Sequence, residues 1–124
     1  MDENNLSDEQ KELIDHLINT GMSKNTAICL VFISSRDETK SREIENATRL
    51  RQPEVSIAMQ ELREKGWIEK RNIKKGGKGR PVHGYKLGDP IDEILGVIEE
   101  KEENKIADIR DNLNQIKELF DSIY

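Results

Sequence analysis

Apolar residues recur along this chain at two periods, helical up to Gly66 and again from Ile91, with a strand-like stretch between. Ser7 followed by Gln10 forms a capping box, and Leu13, Ile14, Leu17 and Ile18 make one stripe, predicting a helix from about Asp8 to Thr20 with Gly21 as its stop. Ser23 can cap a second helix from about Lys24 to Ser35. Its run Ala-Ile-Cys-Leu-Val-Phe-Ile is apolar almost all round, as a buried central helix requires. Thr39 or Ser41 can cap a short helix that continues through Ile44 and Ala47 and ends near Thr48. Arg49 to Gln52 connect it to a helix opening at Pro53, because proline suits the first helical position. Val55, Ala58, Met59 and Leu62 give that helix a packing face, with Met59 and Leu62 read as core, and Gly66 gives it a left-handed stop.

Beyond Gly66 the helical period is lost. Trp67 and Ile68 open a strand, and Val82, Tyr85 and Leu87 suit a returning one. Between them lies the glycine-rich basic loop Lys74-Lys75-Gly76-Gly77-Lys78-Gly79-Arg80. A short helix, a turn of three or four residues, a second helix and then a basic hairpin is the layout of a winged helix-turn-helix. Gly88-Asp89-Pro90 marks a boundary, since glycine and proline punctuate and the residue before proline resists helix. From Ile91 to Tyr124 there is no proline, and the 3–4 spacing of apolar residues predicts one amphipathic helix of roughly 34 residues, about 50 Å long. The stripe is interrupted at Glu102 and Lys105 and resumes from Ile106. The predicted fold class is therefore mainly α with a small β-hairpin (α+β). It comprises a winged helix-turn-helix over residues 1–88 and a C-terminal amphipathic helix over 89–124. Ile98, Ile106, Ile109, Leu113, Ile116, Phe120 and Ile123 are the candidate dimerisation residues, because a long helix with a spare apolar face covers it with a copy of itself.

Charge changes the picture by its distribution. The net charge of −5 over 124 residues is acidic. Residues 1–35 hold 2 Lys/Arg against 6 Asp/Glu, residues 36–86 hold 14 against 8, and residues 87–124 hold 4 against 11. The basic excess thus coincides with the helix-turn-helix and wing, and the acidic flanks must face away from a polyanion. Lys70, Arg71, Lys74, Lys75, Lys78, Arg80 and Lys86 carry seven positive charges in a segment without one acid. The single cysteine, Cys29, forms no intramolecular disulfide and suits a reducing cytoplasm. Within its apolar run it reads as a small buried hydrophobe. The N-terminus is acidic and lacks the apolar run of a signal peptide, and Ala27–Ile33 is too short to span a bilayer, so neither secretion nor a membrane is expected.

Signals for catalysis or cofactors are missing. His16 and His83 have no metal-spaced partner and no nucleophile nearby, and Gly-Gly-Lys-Gly lacks the spacing of a phosphate-binding loop. The expectation is a non-enzyme without metal or cofactor.

The major groove admits one helix, whose first turns reach base edges. The outward residues of the helix from Pro53 are Gln52, Glu54, Ser56, Ile57 and Gln60, the candidates for base reading. Glutamine pairs with adenine, glutamate accepts from cytosine and isoleucine meets a thymine methyl. Arg49, Arg51, Arg63, Lys74, Lys75, Lys78 and Arg80 are the candidates for backbone or minor groove. Arg80 suits a narrow groove and the lysines suit phosphates.

Gly-Met-Ser-Lys-Asn-Thr-Ala-Ile-Cys-Leu-Val-Phe-Ile, from Gly21, resembles the opening of TrmB-like archaeal transcriptional regulators. The segment from Ser41 to Lys70 resembles the helix-turn-helix shared by TrmB-, MarR- and ArsR-type regulators, with Glu43-Ile44 beginning the supporting helix and Val55, Leu62 and Gly66 following in the next. Gly79-Arg80-Pro81 with Tyr85 and Leu87 resembles ArsR- and PadR-type wings. The resemblance covers about residues 20–88 and implies a homodimeric, cytoplasmic regulator of archaeal type that binds double-stranded DNA. Ile57 and Gln60 depart from it, standing where these families often carry Arg or Lys. A winged-helix protein-interaction module of a larger transcription or repair complex is the alternative.

Overall fold

The computed structural model describes residues 6–73 and 82–124. Its elements run α1 (Asp8–Asn19), α2 (Lys24–Ser34), β1 (Thr39–Lys40), α3 (Ser41–Thr48), α4 (Gln52–Glu64), β2 (Ile68–Ile73), β3 (Val82–Leu87) and α5 (Ile91–Ile123). The chain divides into two compact units, Met1–Ile91 and Asp92–Tyr124.

The first unit is a helical layer backed by a small sheet. The α1 helix begins with the expected reciprocal cap, in which Gln10 N–H donates to Ser7 Oγ at 3.1 Å and Ser7 N–H donates to Gln10 Oε1 at 2.9 Å. Of its stripe, Ile14 and Leu17 are buried, Ile18 is half-buried and Leu13 is exposed. The α2 helix is buried from Thr26 to Ile33 and packs against α1, α3 and α4, as its all-round apolar run requires. Around it lie Ile44 of α3 and Val55, Ala58, Met59 and Leu62 of α4, each at most 1% exposed.

Two caps differ from expectation. Ser23 stands at the N-cap of α2, but its hydroxyl donates to Thr26 Oγ1 at 2.7 Å and makes no cap to a backbone N–H. Neither Thr39 nor Ser41 caps α3. Ser41 is its first residue, Lys40 holds the cap position, and Glu43 reaches back to accept from Lys40 N–H at 3.2 Å.

Thr39 and Lys40 instead form a third strand that the sequence pattern did not indicate. The sheet order is β1-β3-β2, all antiparallel, with Thr39 opposite Tyr85 and Lys40 opposite Gly84. Thr39 and Tyr85 are both buried, so this added strand seals the inner edge of the hairpin onto the helices.

The exit from α4 is a Schellman turn. Gly66 is left-handed (φ 77°), its N–H bonds Arg63 O at 2.9 Å, and Trp67 N–H bonds Leu62 O at 3.1 Å. The turn delivers Trp67 to the core, 5% exposed, and starts β2 at Ile68. Gly88 N–H then bonds Trp67 O at 2.8 Å, and a Cβ on Gly88 would lie 2.9 Å from Gly66 O, so only glycine fits that closure.

The second unit consists of the helix α5 from Asp92 onward with Tyr124, the whole helix being 33 residues long. Ile94 is buried and Ile98 half-buried. Ile106, Ile109, Leu113, Ile116, Leu119, Phe120 and Ile123 are all exposed. Among the described residues, no helix is long and apolar enough to cross a membrane.

Candidate nucleic-acid interface

The α3–α4 junction is a three-residue turn, Arg49 to Arg51, one residue shorter than the sequence indicated because Gln52 already belongs to α4. Three features fix it. Thr48 is buried, and its hydroxyl donates to Ile44 O at 2.6 Å while accepting from Leu50 N–H at 3.3 Å. Arg49 adopts the left-handed conformation (φ 64°), the one non-glycine to do so among the described residues, while its N–H bonds Glu45 O at 3.0 Å. Such a backbone costs a non-glycine residue roughly 1–2 kcal/mol. Glu54, three residues into α4, accepts from Arg51 N–H at 2.9 Å and so caps the helix start.

The α4 helix presents two flanks. Gln52, Ser56, Gln60 and Arg63 are exposed and, at 100° per residue, fall within an arc of about 80°. This flank is neutral to basic. Gln60 also donates to Glu64 Oε1 at 3.5 Å. The opposite flank is acidic. Glu54 is half-buried, with one carboxylate oxygen on Arg51 N–H and the other accepting from Asn25 Nδ2 at 3.4 Å. Two turns on, Glu61 accepts from Thr26 Oγ1 at 2.5 Å and from Ser23 Oγ at 3.5 Å. Both acids thus point at the first turn of α2. Ile57 lies between them and is 62% exposed.

The structure therefore groups Gln52, Ser56 and Gln60 with Arg63, leaves Ile57 at the margin and occupies Glu54 with local bonds. Asn25, Thr26, Ser23 and Glu61 were not among the sequence candidates. The sequence signal for them is the seven-residue spacing of Glu54 and Glu61, two turns along one side of a helix.

The hairpin pairs Ile68 with Leu87 through Ile73 with Val82 in unbroken register. Two of its cations are engaged within the chain, Arg71 with Glu38 at 3.5 Å and Lys86 with Glu69 at 3.7 Å. These are exposed pairs that exchange readily with solvent or a phosphate. His83 Nδ1 lies 2.9 Å from Asn72 Oδ1 across the strands. The candidates Lys74, Lys75, Lys78 and Arg80 lie outside the described residues. Among the described residues, no group of three or more His, Cys, Asp or Glu can hold a metal ion. Burial pushes the Cys29 thiol up to about 12, which keeps it protonated and inert.

By sequence, no protein-family model and no curated protein matches the chain. Solved structures do match its fold. A possible transcriptional regulator from Methanosarcina mazei Go1 superposes with a TM-score of 0.67 at 14% identity, over 85% of this chain and 86% of that one. A MarR family transcription regulator gives a TM-score of 0.54 at 17% identity, over 93% and 78%. A PadR family transcription regulator from Clostridium difficile R20291 gives 0.50 at 14% identity, over 76% and 98%. At these identities the likeness defines the fold, a winged helix with a long C-terminal helix.

Proposed function

We propose that this chain is a sequence-specific, double-stranded DNA-binding transcriptional regulator that acts as a homodimer. The α4 helix enters the major groove, and the wing, residues 70–86, lies on backbone or minor groove. The observation that carries the reading is the grouping of Gln52, Ser56, Gln60 and Arg63 on one exposed flank of α4, directly after a turn bearing exposed Arg49 and Arg51. Amide and hydroxyl groups there can read base edges while the arginines meet phosphates on either side. The acidic flank is turned toward α2, where Glu54 and Glu61 are bonded and would not oppose a phosphate at the groove wall.

The description of like-folded proteins as transcriptional regulators supports the role, and the motif from Gly21 supports a TrmB-like kinship. Gln52, Ser56 and Gln60 are the primary readers in this proposal, with Ile57 available for a thymine methyl and Glu54 serving the helix start. The apolar face of α5 supplies the homodimer contact, so that two recognition helices read two half-sites.

Electrophoretic mobility at graded salt, on a selected duplex and on random DNA, tests the reading. Binding must weaken steeply as salt rises, with a slope set by the number of phosphates neutralised. The second reading, an interaction module for an acidic protein, is favoured by the engagement of Arg71 and Lys86 with the chain's own acids. Failure to shift either duplex at low salt would select it.

A further inference from the structure

From Ile106 onward six of the exposed apolar residues of α5 follow one heptad: Ile106, Leu113 and Phe120 at a, Ile109, Ile116 and Ile123 at d, with Leu119 on the flanking g position. All six are 44–65% exposed. Carrying the same heptad backwards puts Glu99 at a and Glu102 at d, within the run Glu-Glu-Lys-Glu-Glu from 99 to 103. Glu102 is held by its own helix, 2.7 Å from Lys105 Nζ. The seam therefore has a sharp limit between Glu102 and Ile106.

We propose that a second copy of this chain covers the seam in the antiparallel sense, about a twofold axis midway between Leu113 and Ile116. Ile106 then meets the partner's Ile123, Ile109 meets the partner's Phe120, and Leu113 meets the partner's Ile116. Each pair recurs with the copies exchanged, as an isologous interface demands. This deepens the homodimer reading above and rests on it.

Charge decides the sense of pairing. A parallel pair in register sets Glu99 and Glu102 opposite the same residues of the partner, next to the Ile106 layer. Four carboxylates would then converge where the helices are held together. The antiparallel pair offsets the two acidic runs by 27 residues, about 40 Å at the helical rise, several Debye lengths in physiological salt.

Packing points the same way. Two-stranded parallel coils prefer β-branched residues at a and leucine at d, whereas here d is isoleucine three times and a is Ile, Leu and Phe. A parallel pair would stack phenylalanine on phenylalanine in one layer. The antiparallel pair sets each Phe120 against an isoleucine and evens the layer volumes. The basic flank does not discriminate. Arg110 faces the partner's Lys117 in the antiparallel pair, and Lys105 faces the partner's Arg110 in the parallel one.

Cross-linking in the full chain tests this. Ile106→Cys and Ile123→Cys are made separately at exposed positions, leaving the native Cys29 buried. Each protein, and an equilibrated mixture of the two, is treated with a short bifunctional maleimide, with sedimentation equilibrium alongside. Antiparallel pairing gives cross-linked dimer in the mixture, up to the statistical share of mixed dimers, and none in either protein alone. Residues 106 and 123 of a parallel pair are about 25 Å apart, so that geometry cross-links each protein alone and not the mixture. The latter pattern overturns the proposal and leaves the homodimer standing. A dimer that cross-links in neither arm, or a mass of four chains, also overturns it. A full chain of 14.3 kDa at tens of micromolar overturns both the orientation and the homodimer. Ile109→Cys with Phe120→Cys repeats the test should the first pair weaken association.

Discussion

Thr26 Oγ1 donates a 2.5 Å hydrogen bond to Glu61 Oε2, tying the first turn of α2 to α4 across 35 residues of sequence. With Asn25 on Glu54 two turns away, it joins α4 to the first turn of α2 at two points. Charge-assisted bonds of this kind contribute about 1.5–3 kcal/mol when screened from water, and less here because Glu61 is exposed. Thr26→Val should therefore cost about 1–2 kcal/mol in urea unfolding, and Thr26→Ser much less. A double-mutant cycle of Thr26→Val with Glu61→Gln should return a coupling above roughly 0.5 kcal/mol. Additive losses would show that the two side chains do not act together.

The left-handed Arg49 gives a prediction in which stability and binding separate. Glycine adopts φ 64° without the Cβ clash, so Arg49→Gly should be more stable than Arg49→Ala by up to about 1 kcal/mol, both variants lacking the guanidinium. If Arg49 meets a phosphate, the same change weakens binding to every duplex several-fold and lowers the salt slope by about one. A variant that is no less stable and binds as tightly would remove Arg49 from the interface.

Reading and positioning contacts should behave differently. Replacing Gln52 or Gln60 with Ala should cost about 1–3 kcal/mol on the selected duplex and little on random DNA. Reversing Lys74 and Lys75 to Glu should weaken both duplexes alike and flatten the salt dependence. Equal losses on both duplexes from the glutamine changes would turn them into positioning contacts. Unchanged affinity after the lysine reversal would take the wing off the DNA.

Cys29 supplies a pH dependence. Its thiol is raised from 9.0 to about 12 by burial, so the folded state keeps the proton that the unfolded state loses near pH 9. The unfolded state therefore binds fewer protons above pH 9, and stability falls as pH rises through that window, while nothing changes near pH 7. Cys29→Ala lacks this dependence. The stability difference between native chain and variant should shrink by on the order of 1 kcal/mol from pH 8 to pH 10. A constant difference across that range would mean that Cys29 ionises as readily folded as unfolded.

How much of this was legible follows from what each feature depends on. The helices announce themselves through period and punctuation: the capping box at Ser7, the all-round run of α2, and Gly66 closing α4. The strand at Thr39–Lys40 could not be read, because two residues carry no alternation and the strand exists only through its pairing with Gly84 and Tyr85. The same holds for Glu54. A helical wheel turns it outward, yet Asn25 and the Arg51 N–H claim its carboxylate, and both partners are set by tertiary geometry. Conversely, Gln52, Ser56 and Gln60 needed only the helical period to fall on one flank.

The exposed face of α5 carries the last prediction. Its six seam residues are each about half exposed, so covering them supplies on the order of 1 kcal/mol per side chain, roughly 10 kcal/mol over both copies. Ile109→Asp with Ile116→Asp removes four of those twelve contributions and places four carboxylates in a dry seam, which no dimer of this size withstands. The double variant should sediment at 14.3 kDa and keep the helical signal of the winged domain. It should bind the selected duplex at least tenfold more weakly and without cooperativity, because a single domain reads only one half-site. The native chain should sediment at twice that mass at tens of micromolar. A double variant that remains dimeric and cooperative would place the contact between copies elsewhere on the molecule.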